Sequence, residues 1–233
     1  MIKAAIEKIL SLAPPTTIEH GSRTYTDKPL ALVSPPHAST LEFSTLRGLC
    51  DIVQREIENY PNELIIKADE RSVNVYTNMH YEDLERDHPY CAKADTPSIY
   101  FDRYISYEDM MITLKSKFVP TAERDELIRT LGTIIEENHT ALSDDGFTQT
   151  VNIKQGIAIV GSKAINPIVR LKPYRTFVEV EQPESEFLIR LRSGGEVALF
   201  EADGGAWKLQ ARENIAVYLR EKLGDLDKVW VVE

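Results

Sequence analysis

The sequence predicts an α+β protein. Three observations carry that reading: helical periodicity recurring through the first 142 residues, strict apolar–polar alternation at 72–77 and 187–192, and glycine turn chemistry joining the second alternating run to a returning strand. The character changes at Ser143-Asp144-Asp145-Gly146. Residues 1–145 read as a part built from helices and antiparallel strands, and residues 146–233 as a β-rich part closed by a packing helix.

The elements follow in order. Residues 2–13 form a helix with Ile2, Ala5, Ile6, Ile9 and Leu10 on one face, stopped by Pro14-Pro15. Thr16 to Tyr25 reads as a hairpin turning at Gly21-Ser22, and Ser34-Pro35-Pro36-His37 as an extended linker, since a proline disfavours helix at the residue before it. Ser44 or Thr45 caps a helix running to about Tyr60, with Leu46, Leu49, Cys50, Val53 and Ile57 as its buried stripe. Leu64–Ala68 and Ser72–Thr77 are a strand pair. Ser106 caps a helix over 106–118 with Asp109 in the capping-box position, and Thr121 caps another over 121–142 whose stripe is Leu127, Ile128, Leu131, Ile134 and Ile135.

Beyond residue 146, Val151–Lys154 and Ile157–Val160 read as strands around Gln155-Gly156. Phe187, Ile189 and Leu191 alternate with Leu188, Arg190 and Arg192; Ser193-Gly194-Gly195 turns the chain into Val197–Phe200. A last helix, about 206–223, carries Trp207, Ala211, Ile215, Tyr218 and Leu219 inward, and Val229–Val232 closes as a strand.

Composition narrows the function. The 233 residues carry a formal charge of −10, with 42% hydrophobic and 27% charged residues, and the sequence pI is about 5.1. Duplex DNA is not an expected partner, because neutralising phosphates supplies most of the affinity of DNA-binding domains. Cys50 and Cys91 form no CxxC pair, which points to a reducing cytosol. MIKAAIEKIL interrupts its apolar run with Glu7 and Lys8, unlike a secretion signal, and no run approaches the roughly twenty residues that cross a bilayer, so no membrane association is expected.

Catalytic signatures are sparse. There is no GxSxG elbow, Walker loop or dinucleotide fingerprint. His80, Asp83, Asp87 and His88 are the one metal or acid–base candidate, since imidazole and carboxylate suit zinc or manganese. They lie in HYEDLERDHP, which reads more simply as a solvated loop or short surface helix. His20, His37 and His139 have no identifiable partners. No cofactor is expected.

A second constellation is basic. Arg170, Lys172, Arg175, Arg190 and Arg192 fall within 23 residues of an acidic chain, with Tyr174 beside them and Trp207 following. Guanidinium forks and aromatic faces are what a phosphate-and-base ligand requires. The near-equal count of Glu179, Glu181, Glu184 and Glu186 favours cross-strand ion pairing instead. A ligand site, if the chain holds one, is expected at Arg170, Arg175, Arg190, Arg192 and Trp207. In the turn Phe200–Trp207, Asp203 is placed to cap the last helix, and a structural turn is the simpler reading.

The run PYRTFVEVEQPESEFLIRLRSGGEVALFEADGGAWKLQARENI, residues 173–215, resembles a family of tailed-phage and prophage proteins, most firmly from Tyr174 to Trp207. LEFSTLRGLCDIVQREI followed by ELIIKADERSVNVYT looks like the same family's opening, and the order of elements is distantly similar to the YfdQ-like prophage proteins. Tyr174, Arg175, Phe177, Gln182 and Pro183 are family-like. The resemblance implies a setting and no activity: a phage accessory or counter-defence protein in the host bacterial cytoplasm. The expectation is a non-enzymatic, homo-oligomeric binding protein acting on a host protein, a nucleotide signal or a replication partner. The alternatives are a metal-dependent phosphodiesterase or nuclease using the histidine–aspartate group, and a structural or assembly protein of the particle.

Overall fold

A computed structural model describes residues 2–20, 23–28, 38–80, 85–132, 167–192 and 194–233, and the protein is α+β. The chain divides into two compact units, Met1–Ala38 and Ser39–Glu233.

The first unit holds helix α1 (Ile2–Leu12) and the hairpin β1 (Thr17–His20) and β2 (Arg23–Thr26). Asp27 closes the hairpin base, its side chain accepting from the Thr16 N–H at 2.8 Å while its own N–H donates to the Thr16 carbonyl. The periodicity of α1 does not translate into burial: Ile2, Ile6, Ile9 and Leu12 are all exposed.

The second unit contains two sheets. Strands β3 (Leu41–Phe43), β4 (Leu64–Ala68), β5 (Ser72–Thr77), β6 (Tyr90–Lys93) and β11 (Val229–Val232) form one in the order β11-β4-β5-β6-β3. Its inner pairs β4–β5 and β5–β6 are antiparallel and its two edge strands run parallel to their neighbours. Strands β7 (Ile105–Ser106), β8 (Ile168–Leu171), β9 (Ser185–Arg192) and β10 (Glu196–Glu201) form the other, entirely antiparallel, in the order β7-β10-β9-β8. Gly194 and Gly195, both at positive φ, make the β9–β10 turn.

Helices α2 (Leu46–Glu56), with a 3₁₀ turn at Ile57–Asn59, and α5 (Trp207–Leu223) pack on the five-stranded sheet, joining Leu46, Leu49, Val53, Leu64, Val73, Val75, Ile215 and Leu219 in one core. Thr45 caps α2, accepting from the Gly48 N–H at 3.1 Å. Cys50 sits in this core, where burial and the nearby Asp51 and Glu179 carboxylates push its thiol up to about 11. Helices α3 (Tyr107–Lys117) and α4, described over 122–132, build the second core with Met110, Leu114, Leu127, Leu131, Leu171, Phe187, Ile189, Val197 and Leu199. Ser106 and Thr121 cap these two helices as expected, accepting from the N–H groups of Asp109 and Arg124.

Residue 145 and the expected strands at 151–154 and 157–160 lie outside the described residues. Both cores take residues from either side of position 145: α5 and β11 complete the first, and α3 and α4 cover the second.

Candidate functional site

The segment between β8 and β9 has no regular ladder, so its backbone groups need other partners. The buried Gln182 amide supplies them. Its carbonyl oxygen accepts from the N–H of Arg175 at 3.0 Å and of Thr176 at 3.3 Å, and its nitrogen donates to the carbonyls of Phe177 at 2.8 Å and Val180 at 3.3 Å. That clasp inserts Phe177 into the first core and turns Arg175 inward.

Arg175 is 3% exposed. A buried cation is costly unless paired and hydrogen-bonded, and its guanidinium donates to Glu201 and to the Ser185 hydroxyl. Ser185 in turn donates to Asp203 at 2.5 Å, and Asp203 lies 3.9 Å from the same guanidinium. Burial pulls the Arg175 pKa down, while Glu201 and Asp203 oppose that pull. Burial also pushes the Asp203 carboxyl up, but the Ser185 hydroxyl, the Gly205 N–H and the Arg175 charge outweigh it and hold the group below the ordinary aspartate range. Asp203 thus organises the turn into α5 from three residues ahead of the helical cap position, Ala206, whose own side chain caps nothing. Gly204 and Gly205 adopt positive φ there, a conformation most side chains disfavour.

The turn delivers Trp207 to Arg175. The guanidinium carbon lies 4.1 Å from the indole centroid, and that of Arg71, in the β4–β5 turn, lies 5.6 Å from it. The Arg71 Nε donates to the Arg175 carbonyl at 3.3 Å. A cavity of about 360 Å³ opens here, lined by Arg71, Phe101, Arg175, Trp207 and Lys208 among others. Its two acidic residues are engaged: Glu201 pairs with Arg175, and Arg212 binds Glu70 at 2.8 Å, holding the Glu70 carboxyl below its usual range. Arg71 and Lys208 form no ion pair among the described residues. The cavity therefore presents two cations without a direct ion pair among the described residues, Arg71 and Lys208, the latter acting on Glu70 only through space, beside an apolar wall of Pro97, Ile99 and Phe101. Trp207, 5% exposed, is a floor and not an open stacking face.

Compared with protein-family models, curated proteins and solved structures, the chain matches none.

Of the expected ligand residues, Arg175 and Trp207 are brought into contact, but Arg170, Arg190 and Arg192 point from the opposite face of β8 and β9. Arg170 pairs with Glu186 directly across the ladder, and Lys172 with Glu181, as the charge count suggested. Arg170 also edges a second cavity of about 360 Å³ that reaches Trp207, where Glu184, Glu186 and Asp203 outnumber it. Arg192 lies 3.7 Å from the Tyr104 ring centroid although Glu196 faces it in register. Arg190 is exposed and forms no ion pair among the described residues. Among the described residues Glu179 pairs with no arginine side chain; it accepts from the Arg47 N–H in the first turn of α2.

His80 and Asp87 meet at 3.1 Å, but His88 stacks on Tyr76 at 4.8 Å and Asp83 lies outside the described residues. Among the described residues no three His, Cys, Asp or Glu side chains are placed to hold a metal, and no helix is long and apolar enough to cross a membrane.

The sequence reading missed Arg71, Glu201 and Lys208. Arg71 sits in a two-strand turn remote in sequence from the basic run, and only the pairing of β4 with β5 fixes its place. Lys208 follows Trp207 directly, and its position in the first turn of the last helix was the one available signal.

Proposed function

We propose that this chain is a phage-encoded, non-enzymatic binding protein that captures a small anionic ligand in the host bacterial cytoplasm. The observation that carries this reading is the pair of cations, Arg71 and Lys208, that make no direct ion pair among the described residues, at a cavity of about 360 Å³ whose own carboxylates are bound by Arg175 and Arg212. That volume falls within the range of roughly 300–1,000 Å³ typical of small-molecule sites. A phosphate or carboxylate is held by the Arg71 fork and the Lys208 ammonium, and the ligand's apolar part lies along Ile99 and Phe101. Nucleotides of the signalling type carry both features. The setting comes from the resemblance of residues 173–215 to phage and prophage proteins, and sequestering a signal requires only binding.

A thermal-shift panel of mono-, di- and cyclic nucleotides tests it. A ligand at about a hundred times its dissociation constant adds about 2.7 kcal/mol, a rise of roughly 5–10 °C for a chain of this size. The expected result is a rise with at least one nucleotide that Arg71→Ala abolishes. Unmoved melting curves across the panel would refute the reading.

A further inference from the structure

We propose that the face of the four-stranded sheet turned away from its core is a platform for single-stranded nucleic acid. The strand period divides that sheet in two. Phe187 and Ile189 of β9 and Val197 and Leu199 of β10 lie in the second core, so the alternate residues Leu188, Arg190, Arg192, Ala198 and Phe200 stand on the other face. Register sets Phe200 opposite Leu188 and Ala198 opposite Arg190. Tyr104 joins them at the β7 edge: Ile105 pairs with Val197, so the residue before it falls beside Ala198. Its ring meets that of Phe200 edge to face at 6.2 Å. Leu188, Phe200 and Tyr104 are half-buried and belong to neither core, and Arg190 and Arg192 are exposed.

The charges on this face select a polyanion. Arg190 and Arg192 form no ion pair among the described residues, although Glu196 stands opposite Arg192 in register. Arg192 lays its guanidinium on the Tyr104 ring instead, 3.7 Å from the centroid. Arg103, next to Tyr104 in the chain, is also exposed and without an ion pair among the described residues. It lies 5.3 Å over the ring of Tyr100, itself 57% exposed. Three arginines thus stand with aromatic rings in a chain of net charge −10.

An unpaired strand matches this arrangement. Bases stack on aromatic rings and on guanidinium planes, and arginine forks bind phosphates. Arg190 and Arg192 are two residues apart on one strand, about 7 Å, so they meet successive phosphates of an extended backbone. A base lies on the stack that Arg192 makes with Tyr104, and its neighbour reaches Phe200. A duplex fits poorly for two reasons. Its bases stack on one another and offer no free face, and three cations neutralise too few phosphates to hold it against the repulsion of an acidic chain. Stacking and phosphate contacts are common to DNA and RNA, so strands of either sugar are accepted.

Fluorescence anisotropy on the full chain tests this in about 50 mM salt, with labelled oligo-dT and oligo-rU of about twelve nucleotides and a DNA duplex of the same length. The expected result is saturable binding of the single strands with a Kd below about 100 μM, and binding of the duplex at least about tenfold weaker. Affinity should fall with salt at a log–log slope of about −1.4 to −2.1, from two or three phosphate contacts at roughly 0.7 each. Arg190→Ala combined with Arg192→Ala should weaken binding at least about tenfold with the circular dichroism of the wild type, whereas Arg71→Ala should leave it unchanged. Glu196→Gln should tighten it, since a carboxylate leaves the face. Tyr104→Leu keeps an apolar side chain but loses the stack and should cost about fivefold or more; if it unfolds, the arginine pair decides. A Kd above about 100 μM for both strands would overturn the proposal. So would equal binding of the duplex, or binding that the paired arginine substitutions leave intact.

Discussion

Arg175 and Trp207, separated by 31 residues of strand, hairpin and turn, are stacked with the guanidinium carbon 4.1 Å from the indole centroid. The contact has a structural task before any binding task. Arg175 lies two residues from Phe177 of the first core and 5.8 Å over the ring of Phe187 of the second, so its head sits where both cores end. Its partners come from β9, β10 and the start of α5, and a single cation gathers all three.

Arg175→Ala is therefore expected to destabilise the protein by about 3 kcal/mol, the lower part of the range for removing one member of a buried pair, because Glu201 retains partial access to water. Urea unfolding followed by Trp207 fluorescence in a Trp230→Phe background checks this. A loss under about 1 kcal/mol would show that the cation is not holding the segment.

Gln182→Leu tests the clasp. The variant keeps the side-chain volume but leaves the N–H groups of Arg175 and Thr176 without their acceptor in a buried setting. The expected cost is about 2–4 kcal/mol, from two unsatisfied donors at roughly 1–3 kcal/mol each less relaxation. Gln182→Glu keeps the acceptor but turns a carboxylate oxygen onto the Phe177 and Val180 carbonyls in a buried setting, so it should also be destabilised at pH 7 and should recover stability relative to wild type as the pH falls and the carboxyl protonates, in the same unfolding series.

Asp203 and Glu70 both have carboxyls held below their ordinary ranges. A folded-state value below the unfolded one means the stabilisation is fully present above the unfolded value, near 4, and is lost as pH falls through the lower folded value. Urea midpoints should stay level from neutral pH down to about 5 and fall below about 4. Asp203→Asn should be less stable than wild type at pH 7 and show a shallower acid decline. An acid profile identical to that of the wild type would remove Asp203 from this role.

Much of this fold was legible because local rules act there undisturbed. Phe187, Ile189 and Val197 alternate on a sheet with one face in the core, and Thr45, Ser106 and Thr121 cap helices through contacts three residues away. The strand at Tyr90–Lys93 was hidden for the opposite reason: Tyr90, Cys91 and Ala92 are buried in succession, so no alternation exists to read. The amphipathic signal at Ile2–Leu12 described a face without saying whether anything covers it. The candidate site was half legible. Counting arginines along the chain grouped Arg170, Arg175, Arg190 and Arg192, but the strand period sends Arg190 and Arg192 to one face while an irregular segment carries Arg175 to the other. Nothing local in the sequence linked Arg71 to Trp207, because a turn between distant strands makes that link.

The central claim is that the Arg71–Lys208 cavity takes an anion, and Trp207 in its floor reports on it directly. In a Trp230→Phe background Trp207 is the one remaining indole of the two in the chain, and its emission can be titrated with the nucleotide that gives the largest thermal shift. The account predicts a saturable change that weakens about tenfold or more in Arg71→Ala, the loss of roughly 1.4 kcal/mol or more expected for a charge-assisted contact. Titrations that are flat at millimolar nucleotide, or identical with and without Arg71, would contradict it.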